Sequence, residues 1–142
     1  MTRESYIQQG AVRWFRLRYP QFSSLLVHIP NEGKRSVRLV RTGAGYRTVC
    51  TGGARLKAEG MVRGVSDLVL FVPGGRWHGL CLETKTEGHD GNGKRRRTYQ
   101  TAEQREWQEK VEGQGYRYEV YRSVEEFAEI VEDYLAGRKN LP

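Results

Sequence analysis

Asp67 stands at the mouth of one apolar run, and Glu83-Thr84-Lys85 closes a second. The two runs lie in the stretch GVSDLVLFVPGGRWHGLCLETK, residues 64–85, on either side of Gly74-Gly75. That pattern predicts a β-hairpin with strands at 68–72 and 79–85. Side chains alternate along a strand, so Glu83 and Lys85 share a face. In an antiparallel pair Asp67 falls opposite Glu83 or Lys85. The turn leaves this register open by one residue, and one step would send Asp67 to the other face. Where the register gathers all three, two carboxylates repel, and one has its pKa raised unless a cation intervenes. Mg²⁺ suits such a place, because it takes oxygen ligands from one or two carboxylates, water and substrate phosphate. Such an ion polarises a phosphodiester and lowers the pKa of bound water. A neighbouring lysine supplies positive charge where the transition state builds negative charge. The expected chemistry is phosphodiester hydrolysis. Taken singly, each feature is ordinary: an Asp before a strand is commonly a turn residue, and an exposed Glu-x-Lys is a surface ion pair worth little. The weight comes from the spacing, the Gly-Val ahead of Ser66-Asp67, and the basic surroundings.

Those surroundings follow from the composition. The 142 residues carry a net charge of +7, which favours a polyanionic partner. The basic residues cluster in NEGKRSVRLVRTGAGYR and GNGKRRRTYQ, whereas SVEEFAEIVEDYLAG is acidic. A phosphate backbone would meet Lys34 and Arg35 in the first cluster and Arg95, Arg96 and Arg97 in the second. Tyr46 and Tyr99 could stack on unpaired bases. The two cysteines, Cys50 and Cys81, are too few for a disulfide framework, and Cys81 is expected to be a buried thiol. No apolar run approaches the roughly 20 residues of a membrane span, and the N-terminus lacks a signal-peptide core. An intracellular protein without a membrane partner is expected.

The length fits one domain, residues 1–142. Residues 3–18 place Ile7, Ala11, Trp14 and Phe15 at helical spacing, and Tyr19-Pro20 ends the helix. SLLVHIP predicts a short strand. Residues 31–53 fit either a loop or a basic hairpin around GAGY. GARLKAEG predicts a short helix ending at Gly60, and residues 86–100 a polar loop. Thr101 with Gln104 forms a capping box for a helix that runs to Gly113 or Gly115. YRYEVYR alternates like a strand. Ser123 with Glu126 forms a second capping box, ahead of a helix with Val124, Phe127, Ile130, Val131 and Leu135 on one face. The order α-β-β-β-α-β-α implies an α/β fold, a mixed four-stranded sheet flanked by helices.

The Asp followed by Glu-x-Lys on a hairpin resembles the PD-(D/E)xK nuclease superfamily. More closely, the chain resembles the virus-type replication-repair nuclease (VRR-Nuc) family. The resemblance spans ESYIQQGAVRWFRLRYP, HIPNEGKRS, ARLKAEGMVRGVSDLVLF, GLCLETKTEG and the segment from TAEQREWQ to EDYL, in that order. It implies a restriction-endonuclease-like core and a metal-dependent DNA endonuclease acting as a homodimer on branched DNA such as four-way junctions. Mg²⁺ would be the cofactor, with Mn²⁺ able to substitute. Asp67, Glu83 and the carbonyl of Thr84 would hold the metal. Lys85 would orient the attacking water or stabilise the transition state, and Gln104 would sit beside it. Glu4, paired with Gln8 one turn on, would reach the metal's water shell. An acid at a helix N-terminus is also favoured by the dipole alone. The chain departs from the family where Ser66 replaces a proline before the aspartate, and where the segments after NEGKRS and after Lys85 are extended. A basic nucleic-acid-binding domain without catalysis is the alternative, and the presence of Asp67, Glu83, Lys85 and Gln104 argues against it. A zinc site is discounted, because Cys50, Cys81, His28, His78 and His89 show no ligand spacing.

Overall fold

The computed structural model describes residues 1–30, 36–51 and 53–137. Helix α1 (Arg3–Arg18) starts at Thr2, whose hydroxyl accepts the Ser5 N–H at 3.2 Å. It ends at Tyr19, ahead of Pro20. The predicted strand 24–30 is shorter than its apolar run. Pro20–Leu25 forms a 3-10 turn, with the Phe22 N–H on the Tyr19 carbonyl, and β1 is Leu26–His28. A proline at the first helical position is already set to a helical φ, so the turn captures residues that propensity alone assigns to the strand.

Next comes an antiparallel hairpin, β2 (Ser36–Thr42) and β3 (Gly45–Thr51), the second of the two alternatives for this segment. Lys34 and Arg35 lie outside the described residues. The short α2 (Gly53–Ala58) leads to β4 (Leu68–Leu70) and β5 (Leu80–Thr84). Residues 86–100 are not a plain loop. They hold a second hairpin, β6 (Glu87–His89) and β7 (Arg95–Arg97). Its turn is built by Asp90, whose Oδ1 accepts the N–H groups of Asn92 and Lys94 at 2.9 Å, and by Gly93 at φ +78°. Ion pairs Glu87–Arg95 and Asp90–Arg96 tie its sides. A run of three arginines hides this pairing from a reading by apolar alternation.

Helix α3 (Ala102–Gly113) carries the full Thr101/Gln104 capping box. Strand β8 (Arg117–Tyr121) and α4 (Val124–Ala136) complete the chain. The second predicted box is half formed. Ser123 accepts the Glu126 N–H, but the Glu126 carboxylate takes the N–H of Arg122, one residue further out.

The main sheet has the order β1-β4-β5-β8, antiparallel except for β5/β8, which α3 connects as a parallel pair. One face carries Leu26, Leu68, Leu70, Leu80, Leu82 and Tyr121 against Ala11 and Phe15 of α1 and Phe127, Val131 and Tyr134 of α4. The other face carries Val69, Cys81 and Tyr118, covered by Trp107 and Val111 of α3. Cys81 is buried, and burial pushes its thiol up to about 11.

Gly64 fixes how closely α3 approaches the strand that follows it. Its φ is +88°, and a Cβ there would lie 2.4 Å from the Glu103 carbonyl oxygen and 2.9 Å from the Gln104 nitrogen. Gly64→Ala should therefore lower stability by roughly 2–5 kcal/mol, summing backbone strain and overpacking. Gly43→Ala, where a Cβ meets nothing within 4 Å, should change it by under about 0.5 kcal/mol. Denaturant midpoints of the two variants check this; equal midpoints would contradict it.

Candidate active site

The register open in the sequence is settled by the sheet. Leu68 pairs with Leu82 and Val69 with Cys81, so Asp67 falls opposite Glu83. Asp67, Glu83 and Lys85 therefore alternate onto the α3 face of the sheet, and Thr84 onto the other. The apolar ladder enforces this, because a slip of one residue would turn every leucine out of the core.

Asp67 is held from two sides. Its carbonyl accepts the N–H of Ile29 at 3.0 Å and Nδ1–H of His28 at 2.8 Å, while its Oδ2 accepts the Thr84 N–H at 2.9 Å. Ser66, in place of the expected proline, donates its hydroxyl to the Leu68 carbonyl at 3.1 Å. Thr84 turns its hydroxyl the other way, onto the Tyr121 hydroxyl at 2.5 Å.

Glu83 is 2% exposed. Its Oε1 accepts Nε2–H of Gln104 at 2.8 Å and lies 3.7 Å from Nζ of Lys85, while Oε2 is buried with no hydrogen-bond partner among the described residues. Gln104 serves two ends at once. Its Oε1 accepts the Thr101 N–H at 2.8 Å, which leaves the amide N–H₂ for Glu83. Burial pushes the Glu83 carboxyl up to about 8. The charge of Asp67 adds to the shift, Lys85 draws it back, and Glu4 contributes a smaller upward push. The same negative potential reaches the phenols behind: burial first, then Glu83 for Tyr118 and Asp67 for Tyr121, raises both.

Glu4 is brought to this end of the sheet from α1, but the expected pairing with Gln8 is replaced. Glu4 accepts the Thr98 hydroxyl at a long 3.5 Å, and the Gln8 amide nitrogen lies 3.1 Å from His28 Nδ1, the ring atom already committed as a donor to the Asp67 carbonyl. Arg95, Arg96 and Arg97 are exposed on the β6–β7 hairpin. Sequence reasoning missed His28, Thr98 and Arg122. Only the β1/β4 pairing brings His28 to Asp67, across a separation no local spacing reveals. Arg122 was legible in principle: it follows β8, whose parallel pairing to β5 sets its end beside Lys85.

Among the described residues no three His, Cys, Asp or Glu side chains converge as a metal cluster. The candidate donors remain the carboxylates of Asp67 and Glu83 with the Thr84 carbonyl expected from the sequence, the kind of hard-oxygen set Mg²⁺ uses with its remaining positions on water. The unpartnered buried Oε2 and the raised Glu83 carboxyl both fit a site for a divalent cation.

No family model matches the chain, and no curated protein does. A solved structure described as "VRR_NUC domain protein" is similar to it with a TM-score of 0.69, over 96% of this chain and 91% of that one, at 21% identity. The fold is thus the α/β fold of that protein: a mixed four-stranded sheet flanked by helices.

Replacing Glu83 by Gln removes the buried repulsion with Asp67 and keeps an oxygen for Gln104. Glu83→Gln should melt at or above the wild-type temperature in chelator. Mg²⁺ or Mn²⁺ should raise the melting temperature of the wild type and leave that of the variant unmoved. An equal metal-induced rise in both would remove Glu83 from the donor set.

Proposed function

We propose that residues 1–142 form one metal-dependent nuclease domain that hydrolyses phosphodiester bonds in DNA inside the cell. The observation that carries this reading is the buried juxtaposition of Asp67 and Glu83, with Lys85 two residues further along the chain on the same face. The fold shared with the VRR_NUC domain protein supports it, as does the net charge of +7. Among the described residues no helix is long and apolar enough to cross a membrane.

Asp67, Glu83 and the Thr84 carbonyl would hold Mg²⁺, or Mn²⁺ in its place. The ion would supply Lewis-acid polarisation of the scissile phosphate and a water of lowered pKa. Lys85 carries its ammonium on the Glu83 side, placed to orient the attacking water and to offset the negative charge of the transition state. Gln104 holds Oε1 of Glu83, so the free Oε2 is the atom that faces a ligand. Glu4 adds a third carboxylate whose reach is to bound water rather than to the ion itself. The exposed Arg95, Arg96 and Arg97, with Lys34 and Arg35, would hold the phosphate backbone. The VRR-Nuc resemblance extends the proposal to a homodimer cutting branched DNA such as four-way junctions. A two-fold axis would then set two cuts symmetrically across such a substrate.

Cleavage of a panel of single-stranded, duplex, flap and four-way-junction DNA should require Mg²⁺ or Mn²⁺ and stop with chelator. Asp67→Ala and Lys85→Ala should each cost about 100-fold or more in rate, with DNA affinity changed only a few-fold. Wild-type rates in the Lys85→Ala protein would overturn the assigned chemistry.

Neutralising Arg95, Arg96 and Arg97 together should weaken DNA binding. The dependence of log affinity on log salt should flatten by about 0.9 for each phosphate that the protein no longer neutralises. An unchanged slope would take this hairpin off the DNA.

A further inference from the structure

Tyr99 follows β7 and is 67% exposed, a large aromatic ring left in solvent. It is not left alone. The guanidinium carbons of Arg97 and Arg122 stand 5.7 and 5.6 Å from its ring centroid. Arg122 cannot swing away, because its Nη1 donates to the carbonyls of Thr86 at 3.0 Å and Thr98 at 2.7 Å. Both bonds go to neutral oxygens. Among the described residues neither Arg97 nor Arg122 forms an ion pair with a carboxylate, unlike Arg95 with Glu87 and Arg96 with Asp90. Arg95, Arg96, Arg97 and Tyr99 together line a concavity of about 300 Å³. Guanidiniums without an ion-pair partner beside an exposed ring are the chemistry that takes a nucleobase on the ring and its phosphates on the cations.

The position is fixed relative to the candidate catalytic lysine. The Thr98 N–H bonds the Thr86 carbonyl at 3.0 Å, and the Thr98 hydroxyl accepts the Thr86 N–H at 2.8 Å. Thr86 follows Lys85 and Tyr99 follows Thr98, and the antiparallel register of Glu87 with Arg97, continued two steps, sets Tyr99 across from Lys85. The two backbones therefore stand within about 10 Å. A base in a duplex has both faces stacked and offers none to such a ring. An unpaired base offers one.

We propose that Tyr99, flanked by Arg97 and Arg122, is a stacking platform for an unpaired base of the DNA strand that enters the active site. A short single-stranded segment beside the scissile phosphate is then part of the recognised substrate. This rests on the nuclease reading for its choice of DNA, but its test does not need cleavage. Duplexes with a single-stranded tail would carry 5-iodo-deoxyuridine at successive tail positions and be bound in chelator. Irradiation should crosslink one or two positions near the junction to residue 99, in the wild type and in Tyr99→Phe. Affinities measured in parallel should show the preference for tailed over blunt duplex falling about tenfold in Tyr99→Ala, the range expected for one stacked base, and staying within about twofold in Tyr99→Phe. Crosslinks confined to other residues, or a Tyr99→Ala preference equal to wild type, would overturn the platform. If the expected crosslink and preference appear while the wild type cleaves no DNA with Mg²⁺ or Mn²⁺, the platform stands and the nuclease reading falls. If the wild type cleaves but residue 99 takes no crosslink, the platform alone falls.

Discussion

A carboxylate buried beside another carboxylate is the constraint around which this molecule is arranged. Taking an ionised group out of water costs several kcal/mol even after relaxation. A hydrogen bond from a neutral amide to a charged acceptor returns about 1.5–3 kcal/mol. Gln104 provides one such bond to Glu83, and Lys85 approaches the same oxygen at 3.7 Å. The balance remains unfavourable to the charged form, because Asp67 faces Glu83 across the strand pair and burial is nearly complete. An arrangement that costs stability persists when the surrounding structure over-determines it. Here the determinants are apolar: Leu68 on Leu82 and Leu70 on Leu80 set the register, and with it the place of both acids.

The two faces of the sheet divide the work. The face toward α1 and α4 is an apolar core, closed by rings such as Phe127 edge-on to Tyr121 at 5.0 Å, with Arg117 paired to Glu119 and to Asp133 of α4 at its β8 edge. The face toward α3 is apolar only beneath that helix and becomes ionic where β5 runs out past it. Capping and chemistry meet in one side chain, since Gln104 both closes the first turn of α3 and fixes the Glu83 carboxylate. The close approach permitted by Gly64 lets the helix start near enough for that hydrogen bond. A helix shifted outward would carry its cap with it, since the box lies between Thr101 and Gln104, and would lose its hold on the acid.

Much of this was legible in the sequence where the signal is local. The helix Arg3–Arg18 follows from its apolar spacing and the proline beyond it. The box at Thr101 and Gln104 follows from two residue types three apart. Where the outcome depends on pairing between distant segments, the sequence stops short. The register of Asp67 against Glu83 was open by one step until the leucine ladder closed it. The β6–β7 hairpin was hidden because its strands are held by Asp90 and ion pairs rather than by alternating apolar residues. Glu126 chose the Arg122 N–H over that of Ser123, a choice between neighbouring donors that composition does not rank. His28 reaches Asp67 through the β1/β4 pairing, which no spacing within one segment encodes.

The charge distribution differs between the interior of the candidate site and its rim. The interior of the site sets Asp67 and Glu83 against Lys85, with a smaller negative contribution from Glu4 on α1. The rim is basic, and its arginines are of two kinds. Arg95 and Arg96 are answered by Glu87 and Asp90, so they stiffen the hairpin and keep only part of their field for a ligand. Arg97 and Arg122 form no ion pair among the described residues, and Arg122 is bound to the carbonyls of Thr86 and Thr98, at the base of the hairpin and next to Lys85. The rim is therefore anchored to the strand that carries the acids. Under the proposed nuclease function, a backbone drawn onto it would arrive at a fixed offset from Lys85, and positioning of this kind would contribute to catalysis without any contact to the reacting atoms.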